Sequence, residues 1–168
     1  INRLQDVKTS CSILQKENIL GFDTETRPAF HKGEYYTPSI IQLAGEKSVY
    51  IFQLHQVGFC NPLKQLLSNR DILKCGVAIR HDLSELNLLS EFIPRGFIDL
   101  GELARKALVP HHGLRGLAAY FLHFRISKQA QISNWNIKTL KKKQIIYAAT
   151  DAWLGRELYL KFKKEKII

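Results

Sequence analysis

The chain has 168 residues, of which 45% are hydrophobic, with a net charge of +10 and a sequence pI of about 9.6. That length suits one compact domain whose core needs no staples. No apolar run approaches the roughly 20 residues of a bilayer-spanning helix, and no stretch reads as a signal peptide, so no membrane partner is expected. Strong basicity favours a polyanionic partner, nucleic acid first, although charge serving solubility alone gives the same totals.

Three cysteines, Cys11, Cys60 and Cys75, are odd in number and widely spaced. They form no zinc pattern and no disulfide framework, which fits reduced thiols in an intracellular protein, cytoplasmic or nuclear. No methionine occurs, so the sequence is expected to be a piece of a longer chain.

Leu4, Val7, Cys11 and Leu14 recur at helical spacing within residues 1–18. Ile19 to Glu25 reads as a buried strand ending in acid. Thr26 to Pro38 is loop-like, with Gly33 and two prolines. Ser39–Ala44 and Ser48–Phe52 read as strands around a Gly45-Glu46 turn, so the domain is expected to begin with an antiparallel meander. Pro62–Leu67 is a helix candidate with Asn61 as its cap. Ile72–Ile79 is a strand candidate, and Asp82–Phe92 is an amphipathic helix carried by Leu83, Leu86, Leu89 and Ile93. A short strand over Phe97–Leu100 precedes a helix over Leu100–Leu108 that Pro110 ends. Leu114–Leu122 and Leu140–Phe162 complete the helices. The fold class is therefore α/β or α+β, treated as one domain over 1–168.

Three pairs of residues carry the candidate chemistry. Asp23 and Glu25 stand two apart on a strand, so both project from one face. Converging carboxylates offer oxygen ligands to a hard cation; a strand fraying into a solvated loop gives the same D-x-E. Asp82 precedes a helix with Glu85 three residues later, the pattern of a capping box as much as of a metal ligand. Tyr147 and Asp151 are four apart on one helical face, separated by small residues. Asp23, Glu25, Asp82 and Asp151, with Tyr147, form a set of four carboxylates and one phenol on three elements. Phosphodiester hydrolysis uses such a set, because two metals can serve the attacking and leaving oxygens of an in-line displacement.

On these residues the chain resembles the DEDD-type 3′–5′ exonucleases of the DEDDy subgroup, ribonuclease D and the Werner syndrome exonuclease domain among them. The first motif is Gly21-Phe22-Asp23-Thr24-Glu25-Thr26, the second runs from Cys75 to Leu86 through Asp82, and the third is Tyr147-Ala148-Ala149-Thr150-Asp151-Ala152. Ile40–Leu43, Ser127-Lys128 and Ser133–Trp135 look familial too, and the resemblance covers about residues 17–160. It implies a ribonuclease H-like fold, a mixed sheet of about five strands flanked by helices. It implies that Asp23, Glu25, Asp82 and Asp151 hold two Mg²⁺ or Mn²⁺ ions and that Tyr147 orients the attacking water. It also implies contacts from Thr24, Thr26 and Leu86 to the 3′-terminal nucleotide.

The implied function is release of nucleoside 5′-monophosphates from the 3′ ends of DNA or RNA, single-stranded or 3′-ended. Ala78 stands where proofreading relatives often carry Asn, which places the chain nearer ribonuclease D and Werner-like enzymes. Ribonuclease D proteins carry a further helical nucleic-acid-binding domain that this sequence lacks. A catalytically silent nucleic-acid-binding or scaffold module, or one domain of a larger helicase or polymerase, are the alternatives.

Other features are weaker. His111-His112 reads as loop after Pro110. Arg80 and His81 flank Asp82 and either meet phosphate or face water. Lys138 and Lys141–Lys143 form a basic run suited to a solvated helix start or to a nucleic-acid backbone. Trp135 is expected to pack, while Phe30, Tyr35 and Tyr36 are candidates for touching bases.

Overall fold

A computed structural model describes residues 1–127 and 132–168. Lys128, half of one familial pair, lies outside the described residues. Five strands form one mixed sheet in the order β3-β2-β1-β4-β5. β1 (Ile19–Thr26), β2 (Pro38–Ala44) and β3 (Val49–Gln53) pair antiparallel, and β4 (Leu73–Gly76) and β5 (Phe97–Asp99) add in parallel. The expected meander and mixed sheet are both present.

Side chains on the two faces of β1 define two layers. Leu20 and Phe22 join one core with Val7, Cys11 and Leu14 of α1 (Leu4–Leu14) and Leu63, Leu66 and Leu67 of α3 (Asn61–Ser68). Gly21 faces the other way, against α7 (Lys142–Lys164). A Cβ built on Gly21 would lie 1.8 Å from the Ala152 carbonyl oxygen, and one on Gly155 would lie 2.5 Å from that of Cys75. Two glycines, one on the strand and one on the helix, thus let α7 touch the sheet backbone. Leu158 and Phe162 of α7 then build a second core with α5 (Leu100–Lys106) and α6 (Leu114–Leu122).

Trp135 is fully buried and packs with Ile40 and Ala148, as a packing residue rather than a stacking platform. Its segment is tied to α7 by Gln144, which donates to the Ser133 hydroxyl at 3.2 Å and the Asn134 carbonyl at 3.0 Å. Among the described residues no helix is long and apolar enough to cross a membrane. All three cysteines are free, with Cys11 and Cys75 buried and their thiol pKa values pushed up to about 12 by burial.

Several boundaries differ from the sequence reading. A one-turn helix, α2 (Leu54–Val57), follows β3 where no element was expected. Asn61 is the first helical residue of α3 and not its cap; Cys60 holds that place without a side-chain bond. The strand expected over Ile72–Ile79 stops at Gly76, because Ala78 turns the backbone into the left-handed region, with φ of 60°. α5 ends at Lys106, ahead of Pro110, with Leu108 at φ of 56°. β4 also holds a lysine that strand periodicity does not explain. Lys74 is fully buried, its ammonium donating to the Asn69 and Ile72 carbonyls at 2.5 and 2.7 Å, with burial pulling its pKa down to about 8.

Candidate active site

The carboxylates gather where β1 ends. Asp23 and Glu25 share the Gly21 face of β1, so they look toward α7, and Asp151 lies one helical turn beyond Tyr147 on that helix. One oxygen from each of Asp23, Glu25 and Asp151 falls within 4.8 Å of the others. The close approach at Gly21 and Gly155 brings a helical carboxylate this near a strand.

Asp82 arrives from the opposite layer. It stands in the first turn of α4 (Arg80–Leu89), whose Leu86 belongs to the core on the α1 side. Thr24, the residue between the two strand carboxylates, points to that side and donates its hydroxyl to Asp82 Oδ1 at 2.5 Å. Asp82 lies outside the close group of three but is near enough to raise the pKa values of both Asp23 and Glu25. The capping-box reading of Asp82 and Glu85 is corrected here. Ile79 is the N-cap of α4, and Glu85 instead accepts a bond from the Tyr35 hydroxyl.

The cluster is electrostatically uncomfortable without a cation. Burial, then repulsion from Glu25, Asp151 and Asp82, holds the Asp23 pKa well above the usual carboxylate range. Burial, then Asp151 and Asp82, pushes Glu25 to about 8. Asp151 rises to about 6 through burial, opposed by the Tyr147 hydroxyl and Arg115. Asp82 is raised by burial, opposed by its bond from Thr24. The phenol of Tyr147 is driven far above its ordinary value, by burial first and by Asp151 and Glu25 next. Among the described residues, Asp151 Oδ1 is buried with no hydrogen-bond partner. Mutually repelling carboxylates and an orphaned acceptor are what a hard divalent cation satisfies. The residues therefore fit such an ion.

The raised pKa values dictate how the metal-free protein responds to pH. A carboxyl whose native pKa lies above its unfolded value binds more protons when folded, so its contribution is full below about 4.5 and is lost as pH climbs through the native value. In EDTA the melting temperature is expected to fall between pH 5 and pH 8. Mn²⁺ should raise it more at pH 8 than at pH 5, since the metal needs deprotonated ligands. Thermal melts at the two pH values, with chelator and with Mn²⁺, check both signs.

A cavity of about 620 Å³ opens onto these groups, lined by Asp23, Thr24, Glu25, Arg115, Tyr147 and Asp151 among others. A larger neighbouring cavity of about 820 Å³ shares Ile126 and Tyr147 with it and is walled by Lys141, Lys142 and Lys143. Of the residues expected to meet a substrate, Thr24 lines the first cavity. Thr26 follows a register shift at the strand end and does not line it. Leu86 is fully buried in the core and lines neither cavity. Phe30 and Tyr35 are exposed on the β1–β2 loop. Sequence reasoning missed Arg115, because a cation in the first turn of a helix carries no signal of which cavity it borders.

Residues 1–167 match the sequence profile of a family described as 3′-5′ exonuclease. The chain is 32% identical over 169 residues to the bifunctional 3′-5′ exonuclease/ATP-dependent helicase WRN of Mus musculus, covering 91% of this chain and 12% of that protein. It is 33% identical over 162 residues to ribonuclease D of Haemophilus influenzae, covering 92% and 39%. Among solved structures, the Nibbler EXO domain of Aedes aegypti superposes with a TM-score of 0.85 at 25% identity, over 98% of this chain and 86% of that one. Escherichia coli RNase D, described as an exoribonuclease involved in structured RNA processing, gives 0.83 at 20% identity, over 99% and 45%. The fold is ribonuclease H-like, and the chain spans less than half the length of these two sequence relatives. The chain belongs to the 3′–5′ exonuclease family.

Proposed function

We propose that this chain is a metal-dependent 3′–5′ exonuclease that hydrolyses the terminal phosphodiester of a nucleic acid and releases a nucleoside 5′-monophosphate. The observation that carries the proposal is the convergence of Asp23, Glu25 and Asp151 oxygens within 4.8 Å, with Tyr147 lining the same cavity. Asp23, Glu25, Asp82 and Asp151 would hold two Mg²⁺ or Mn²⁺ ions, with Asp82 steadied by Thr24. Such ions would supply Lewis-acid charge at the scissile phosphate and make a bound water more acidic.

The chain's own groups do the rest. Tyr147 stays protonated at any working pH, so its hydroxyl can orient the attacking water while engaging Asp151. Water forms the new bond to phosphorus as the bond to the 3′ oxygen of the penultimate nucleotide breaks, and that oxygen takes up a proton. The backbone at Thr24 meets the terminal nucleotide. The lysine-walled cavity next to Tyr147 suits the following phosphates, with binding that weakens as salt rises.

The test is a panel of 5′-labelled single-stranded DNA, single-stranded RNA and recessed duplexes, each with Mg²⁺ and with Mn²⁺. The proposal expects stepwise shortening from the 3′ end, mononucleotide products and full inhibition by EDTA. Internal cuts, or no shortening of any substrate, would overturn it. The panel also decides the sugar, since recognition of a 2′-hydroxyl rests on contacts that no motif fixes.

A further inference from the structure

Outside the carboxylate cluster, one acidic residue makes more backbone bonds than a helix cap requires. Asp99 closes β5 and begins α5, where its Oδ1 accepts from the backbone N–H groups of Gly101 at 2.9 Å and Glu102 at 3.2 Å. That much is ordinary N-capping. The same carboxylate also reaches across to the neighbouring parallel strand's exit. Its Oδ1 accepts from Ala78 N–H and its Oδ2 from Ile79 N–H, both at 3.1 Å. Gly76 and Asp99 are paired in the β4–β5 register, so the sheet itself aims Asp99 at this turn.

The turn needs holding. Ala78 adopts φ of 60°, a left-handed conformation that a residue with a Cβ enters at a cost. Ile79 is the N-cap of α4 and provides no side-chain bond to it. Asp82 follows three residues later, in the first turn of that helix. The bonds that hold this turn thus come from a strand end twenty residues away.

We infer that Asp99 is a positioning residue: its carboxylate clamps the Ala78–Ile79 turn and thereby sets Asp82 as a metal ligand. The metal half of this rests on the function proposed above; the clamp itself rests on the hydrogen bonds alone. Gly101 supports the arrangement, since a Cβ there would lie 3.2 Å from Asp99 Oδ1 and 2.6 Å from the His112 carbonyl oxygen.

Asp99→Ser separates the clamp from the cap. Serine caps helices about as well as aspartate, but its single shorter hydroxyl cannot bridge to Ala78 and Ile79. The variant is expected to keep its far-UV spectrum and slow amide exchange across α5. Exchange at Ala78, Ile79 and the first turn of α4 should accelerate, and Mn²⁺ affinity should fall by roughly 10–100-fold, the usual effect of losing an outer partner of a ligand. Asp99→Asn, which retains the bonds to one oxygen, should fall between the serine variant and the parent and serves if the serine variant fails to fold. Unchanged exchange at Ala78 and Ile79, or parental Mn²⁺ affinity in both variants, would overturn the inference. A parent chain that binds no Mn²⁺ would strike the proposed metal site instead and leave the exchange measurement to decide the clamp.

Discussion

Asp23→Ala is expected to lower exonucleolytic turnover by roughly a hundredfold to a thousandfold or more, while raising the melting temperature of the metal-free protein at neutral pH. The loss follows from the role of the ions: they contribute several kcal/mol of charge stabilisation in the transition state, and each 1.36 kcal/mol is about a factor of ten. Asp23 sits at the centre of the acidic cluster, because Glu25, Asp151 and Asp82 all act on it. The gain in stability follows from the same fact. Without metal, burial and the repulsion of Glu25, Asp151 and Asp82 penalise an ionised Asp23, and alanine carries no charge to be penalised. Opposite signs for activity and stability mark a site selected for chemistry and not for folding. Single-turnover rates on a 3′-ended oligonucleotide, beside melts in EDTA, give both numbers. A variant as active as the parent would remove the carboxylates from the mechanism.

The second large effect belongs to Gly21→Ala. One methyl group placed 1.8 Å from the Ala152 carbonyl oxygen and 3.0 Å from Arg156 N meets helix backbone, which has no rotamer to escape into. Either β1 or α7 must move by more than an ångström. Overpacking of this kind typically costs about 1–3 kcal/mol, and more where backbone is the obstacle, which corresponds to about 2–4 °C in melting temperature per kcal/mol for a chain of this size. Function should suffer beyond stability, because Asp151 precedes Ala152 on the displaced helix. Loss of Mn²⁺ binding at a temperature where the variant is still folded is the expected signature. A Gly21→Ala protein with parental melting temperature and metal affinity would show that α7 does not press on the strand as described.

The sheet was legible in the sequence because its strands are short apolar runs punctuated by turn formers, and because Asp23 and Glu25 share a face by the two-residue period alone. What the period does not reveal is the opposite face. Thr24 points away from the strand carboxylates and turns out to be the link to Asp82, a tertiary contact between residues 58 apart that no local pattern encodes. Asp82 and Glu85 fitted a capping box, yet Ala78 redirects the backbone early enough that the helix begins at Arg80. A left-handed alanine is unreadable from sequence, since its stabilisation comes from Asp99 on another strand. Leu86, which the resemblance brings to the substrate, has its side chain in the core on the α1 side, and helical periodicity alone reads that face. Lys74 is buried within β4, where its ammonium finds the Asn69 and Ile72 carbonyls, a partnership that strand periodicity does not reveal.

Titration of metal-free protein with Mn²⁺, followed by calorimetry or by the loss of free-ion paramagnetic signal, tests the carboxylate cluster most directly. The parent chain is predicted to bind Mn²⁺ at pH 7.5, and Asp23→Ala to lose that binding while keeping its fold. A folded parent that binds no Mn²⁺, or an Asp23→Ala variant that binds it as tightly as the parent, would contradict the account.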